Sequence, residues 1–140
     1  MIVLDTTALS AAMRYDDELT AFLLQRRPGN VATVPPAVAE IEYGIRRLPA
    51  GSRRRRLLEH ERDRLLGTIR LLEWNPEASR RFGTIKADLE HAGTPIDDFD
   101  VAIAAVAMAH GAAVLTANVV HFERVNGLEV HHWRDASANP

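Results

Sequence analysis

Four stretches of the chain carry oxygen-bearing side chains at positions where a fold could gather them. Asp5 closes the apolar run Ile2-Val3-Leu4. Glu40 lies one turn into a predicted helix that follows the β-branched run Val31 to Val34. Asp97, Asp98 and Asp100 open the apolar stretch Val101 to Ala109, and Thr116 and Asn118 follow Ala113 to Leu115. Clustered carboxylates, without Cys and without paired His at ligand spacing, suit a hard divalent ion. Mg²⁺ and Mn²⁺ prefer oxygen donors and keep several waters. Such an ion can activate water and stabilise the charge that develops on a phosphodiester. Asp5 and Asp100 read as the direct ligands, with Glu40 completing the site. Thr116 and Asn118 would orient the carboxylates by hydrogen bonding.

Asp100 is the most informative of these. The helix after it is apolar all round, so it is expected to be buried, with positions 100, 104 and 107 on one face. A buried carboxylate is costly unless paired or bound to metal. No Lys or Arg occurs between residues 87 and 123. One acid suffices to cap a helix, and three in four residues exceed that need. Asp98 is therefore kept as an auxiliary acid. Glu42 lies about 200° round the helix from Glu40, so both cannot face one ion; Glu42 is expected in solvent.

Apolar periodicity and turn signals give the order of elements that must position these residues. Strands are predicted at 2–4, 31–34, 69–72, 113–115 and 128–131. Helices are predicted at 7–13, 17–24, 35–48, 53–66, 76–91 and 98–110, with Leu57, Leu58 and Leu65 facing inward on the fourth. Strands separated by helices imply right-handed crossovers and an α/β fold with a mostly parallel sheet of four to five strands flanked by helices. Ligands bind beyond the carboxyl ends of such strands. Asp5, Thr116, Asn118 and the turn bearing Glu40 would then share one edge.

The 140 residues fit one domain. The absence of Cys excludes disulfides, thiol nucleophiles and Cys-based zinc sites. No GxGxxG, Walker or GxSxG segment supports a dinucleotide, P-loop or serine-hydrolase reading. The uncharged run Val101 to Phe122 is long enough to raise a membrane question. It is broken by His110-Gly111 and then by Thr116, Asn118 and His121, so it reads as a buried helix, a turn and a buried strand. A cytoplasmic location without a membrane role is expected. His131-His132 would point to opposite strand faces and cannot readily chelate together. His60, His91 and His110 read as structural, and Tyr43 and Trp74 as core or rim.

The formal charge of −2 argues at first against a nucleic-acid partner. Its distribution reverses that. Residues 46–70 hold nine Arg and three acids, a charge of +6, and the remainder carries −8. Arg46, Arg47, Arg53, Arg54, Arg55 and Arg56 flank a Pro-Gly turn, so a helical hairpin would present all six.

The segments Ile2-Val3-Leu4-Asp5-Thr6-Thr7 and Ala39-Glu40-Ile41-Glu42-Tyr43-Gly44 resemble the PIN-domain nucleases, and more closely the VapC toxins of toxin–antitoxin pairs. So do Pro95 to Asp100 leading into Ile103-Ala104-Ala105, and Leu115-Thr116-Ala117-Asn118 leading into Phe122-Glu123-Arg124-Val125 and Gly127-Leu128. The resemblance spans about residues 1–134, which implies a single PIN domain with a short polar tail over 135–140. It implies a Mg²⁺- or Mn²⁺-dependent endoribonuclease that hydrolyses RNA, with Asp5, Glu40 and Asp100 as the acidic site and Thr6 among the orienting hydroxyls. It also implies a cognate VapB-type antitoxin and a homodimer. The Arg block would meet RNA phosphates or an acidic antitoxin segment. Thr7 stands where Asn or Ser is commoner, and His121 where many members carry an acid. A phospho-acceptor receiver domain would want a Lys after a late strand, and Lys86 precedes the wrong element. A catalytically inactive PIN-like binding module is the alternative that His121 leaves open.

Overall fold

The computed structural model describes residues 1–135. The tail expected over 135–140 lies, from 136 onward, outside the described residues. Three short strands form the middle of the sheet: β1 (Ile2–Leu4), β2 (Val31–Thr33) and β4 (Ala113–Leu115). All nine of their residues are buried. That is the pattern of a parallel sheet covered on both faces, where strands read as continuous apolar runs. β3 (Arg70–Leu71) and β5 (Val130–His131) are the edges, and the order is β3-β2-β1-β4-β5 with every pair parallel.

The helices supply the crossovers. α1 (Thr6–Met13), α2 (Asp17–Leu24), α3 (Pro35–Arg46), α4 (Arg53–Leu66), α5 (Pro76–His91) and α6 (Asp98–Ala109) follow the predicted order. Their starts are written in the sequence as caps: Asp5, Asp16, Ser52, Asn75 and Asp97 each accept a backbone N–H of the first turn. α3 opens instead on Pro35-Pro36, where a missing N–H costs nothing. α6 ends at His110, and Gly111 takes the left-handed φ of 67° that turns the chain into β4. Residues Val101 to Ala107 of α6 are all buried, so this helix is a central pillar of the core.

Two expectations need correction. The stretch after β4 contains a single helical turn, α7 (Val119–Phe122), rather than loop alone. It forms because Phe122 is fully buried and ties that turn to the core. Leu57 points outward, because α4 buries Glu61 and Leu65 instead. Of the two positions expected for Tyr43 and Trp74, core or rim, both take the rim: Tyr43 is 69% exposed and Trp74 is exposed as well. The long uncharged run divides into α6, β4 and α7, and no described helix is long and apolar enough to cross a membrane.

Candidate active site

β1 sits at the centre of the sheet, so the residue that leaves its carboxyl end is surrounded by other elements. That residue is Asp5, only 1% exposed. Its Oδ1 accepts the Ala8 N–H at 2.9 Å and the Thr7 hydroxyl at 2.6 Å. Its Oδ2 accepts the Thr116 hydroxyl at 2.6 Å. The two hydroxyls are themselves oriented by backbone donors. Ala117 N–H donates to Thr7 Oγ1, and Asn118 N–H donates to Thr116 Oγ1, both at 2.8 Å. Each hydroxyl proton is thereby aimed at the carboxylate. Burial still raises the Asp5 carboxyl above its ordinary value, against the pull of the Thr116 and Thr7 hydroxyls and the Ala8 and Thr7 amides.

Glu40 reaches the same edge from α3, where the Thr6 hydroxyl donates to Oε1 at 2.6 Å. Asp100 reaches it from the first turn of α6, and its side chain is 16% exposed. The Asp100 carboxyl is pushed up to about 6, first by burial and then by the charges of Asp5, Asp97 and Glu40; His121 pulls it down. Asp5 and Glu40 are therefore close enough for their charges to act on Asp100. His121 Nδ1 lies 3.7 Å from Asp100 Oδ2, so the side chain beside Asp100 is an imidazole that comes from beyond β4 in sequence.

Other expected residues go elsewhere. Asp98 pairs with Lys86 at 3.0 Å on the surface, away from an auxiliary role at the site. Asn118 takes part through its backbone N–H, not through an orienting side-chain contact. Glu42 is half-buried and paired with Arg62 rather than free in solvent. His110 binds the Glu73 carbonyl, while His60 and His91 lie on the surface without the structural role expected of them.

The Arg block divides. Arg55 turns inward, pairing with Glu59 and donating to the Leu48 carbonyl, and Arg56 donates to the Gly51 carbonyl. Arg46 and Arg53 are exposed. Arg47 and Arg54 line a groove of about 860 Å³ that also contains Thr6 and Glu40. Arg14 and Phe99 also line the groove, and neither is among the contacts expected from the sequence. Arg14 lies outside the conspicuous run, and Phe99 sits beside the acids that draw the eye.

The donor set fits a divalent ion. Three carboxylates lie at one edge, and the burial and neighbouring negative charge that raise Asp100 are what a cation there would offset. Among the described residues, no three His, Cys, Asp or Glu side chains already converge on one point. One or two carboxylates plus water would then hold the ion, which is how Mg²⁺ is commonly bound.

The family model described as PIN domain matches residues 2–128, and the chain belongs to the PIN-domain family. Among its relatives, the tRNA(fMet)-specific endonuclease VapC of Salmonella typhimurium is 32% identical over 94 residues, covering 67% of this chain and 68% of that protein. Ribonuclease VapC2 of Haemophilus influenzae is 28% identical over 129 residues, covering 84% and 95%. The fold matches VapBC2 of Rickettsia felis, solved bound to a promoter DNA fragment, with a TM-score of 0.85 at 24% identity over 95% of this chain and 99% of that one.

Proposed function

We propose that this chain is a Mg²⁺- or Mn²⁺-dependent endoribonuclease and the toxin of a toxin–antitoxin pair. The observation that carries the proposal is Asp5, buried and locked by two hydroxyls, at the same sheet edge as Asp100 and Glu40. Asp5 and Asp100 would hold the ion. When bound, that ion would supply charge stabilisation for the phosphodiester undergoing attack. Glu40, steadied by Thr6, would orient a water and accept its proton as the water oxygen bonds to phosphorus and the bond to the leaving oxygen breaks, that oxygen taking a proton from solvent. Thr7 and Thr116 keep Asp5 in one orientation, and Asn118 contributes its amide to Thr116. Arg47 and Arg54 would contact the RNA backbone beside the cleavage point, with Arg46 and Arg53 further out.

The names of the relatives support the reaction, and the solved VapBC complexes support an antitoxin as partner. A homodimer and a cytoplasmic location complete the proposal; sedimentation of the purified chain tests the first. The deciding experiment maps new RNA 5′ ends in cells expressing wild type or Asp100→Asn. New ends should appear with wild type and vanish with the variant. If wild type produced none, the inactive binding-module reading would replace this one.

A further inference from the structure

We propose that His121 is a direct nitrogen ligand of the ion held at Asp100, and that it biases the site toward Mn²⁺ over Mg²⁺. The inference rests on the metal-site reading above. α7 is a single turn, yet it is fixed at both ends. Asn118 at its start donates its N–H to Thr116, and Phe122 at its end is fully buried. That anchoring holds the His121 ring beside Asp100, with Nδ1 3.7 Å from Oδ2.

The separation is too long for a hydrogen bond. It is close to the span of two donors on one ion, since bonds of about 2.1 Å put neighbouring donors about 3.0–3.6 Å apart. Among the described residues the ring makes no hydrogen bond, and Asp100 is its one ion-pair partner. The ring is 47% exposed and Asp100 only 16%, so an ion arriving from solvent meets both. A carboxylate at 121 would favour hard oxygen chemistry, in which Mg²⁺ competes well. An imidazole favours transition metals, and Mg²⁺ gives up its waters to nitrogen reluctantly.

The test uses the full chain stripped of metal. Mn²⁺ binding is followed by the electron paramagnetic resonance signal of the free ion, Mg²⁺ binding by competition, and nitrogen ligation by pulsed resonance on bound Mn²⁺. Wild type should show imidazole nitrogen coupling. His121→Ala should lose the coupling and weaken Mn²⁺ binding about tenfold or more, while Mg²⁺ affinity moves less than about threefold. His121→Asp should recover Mn²⁺ binding without the coupling and with a smaller preference over Mg²⁺. Unchanged coupling and affinity in His121→Ala would overturn the assignment. Asp100→Asn separates the two levels. If it abolishes Mn²⁺ binding while His121→Ala does not weaken it, only the histidine role fails. If neither variant weakens binding, the metal site itself is elsewhere. Circular dichroism melts confirm that each variant is folded.

Discussion

A buried carboxylate needs its acceptor capacity filled, and at Asp5 the filling comes from both ends of the chain. Thr7 is its neighbour in α1, whereas Thr116 arrives from the end of β4. Thr116→Val keeps the shape but removes the donor to Asp5 and the acceptor for Asn118 N–H. Chemical denaturation should show a loss of about 1–3 kcal/mol, the cost of stranded polar groups. Thr116→Ser should restore most of it. In a double-mutant cycle with Asp5→Asn the losses should be less than additive, because both changes break one network. Asp100 behaves in the opposite sense. Its carboxyl is pushed up to about 6 from an ordinary 3.8, by burial and then by Asp5, Asp97 and Glu40. Over that window the folded chain keeps a proton that the unfolded chain has lost. Stability therefore falls as pH rises from about 4 to about 6, and the full cost persists above. Metal-free Asp100→Asn should be more stable than wild type at pH 7.5, by about 1–3 kcal/mol, with the gap closing toward pH 4. A wild type as stable as the variant at pH 7.5 would show that burial and the neighbouring carboxylates together do not penalise the charged form of Asp100.

Each of these side chains is held by an element whose own packing can be tested. α6 presents Ala104 one turn from Asp100, fully buried along with Ala105 and Ala107. Small residues there let the helix lie close to its neighbours. Ala104→Leu should overpack that contact, costing about 1–3 kcal/mol in urea unfolding and shifting Asp100 with the helix. This element was fully legible in the sequence: an apolar run, an acid cap and a Gly stop leave little choice. α7 was not. Val-Val-His-Phe has no period long enough to read, and its turn exists because Phe122 is drawn into a core assembled from distant segments. The inward face of α4 is hidden from the sequence for a similar reason. Leu57 looks like core, but the packed position goes to Glu61, which Arg64 and Tyr15 neutralise by hydrogen bonding. The carboxylates themselves were legible because strand ends and helix starts are marked locally. Their partners Thr116 to Asp5, Thr6 to Glu40 and His121 to Asp100 are contacts across 111, 34 and 21 positions, respectively. Fold topology, rather than local pattern, creates those pairs.

Across the whole molecule the charge of −2 hides a division of labour. Asp5, Glu40 and Asp100 lie at the sheet edge, and part of the Arg block borders the groove that contains Glu40: Arg47 and Arg54 share its lining with Glu40 and Thr6. Arg55, by contrast, is spent on Glu59 and the Leu48 carbonyl. Counterion release makes this difference measurable. Each phosphate contact to single-stranded nucleic acid contributes about 0.7 to the slope of log affinity against log salt. Binding of a labelled single-stranded RNA to the Asp100→Asn protein, followed by anisotropy from low to moderate salt, should give a steep negative slope. Adding Arg47→Ala and Arg54→Ala should flatten it by about 1.4, two contacts' worth. Adding Arg55→Ala should leave the slope unchanged, even if the turn between α3 and α4 loosens. Equal flattening by Arg55→Ala would mean that RNA reads the net charge of the hairpin, not the side of it that borders the carboxylates. The groove would then lose its claim to be the path by which a phosphodiester reaches Asp100.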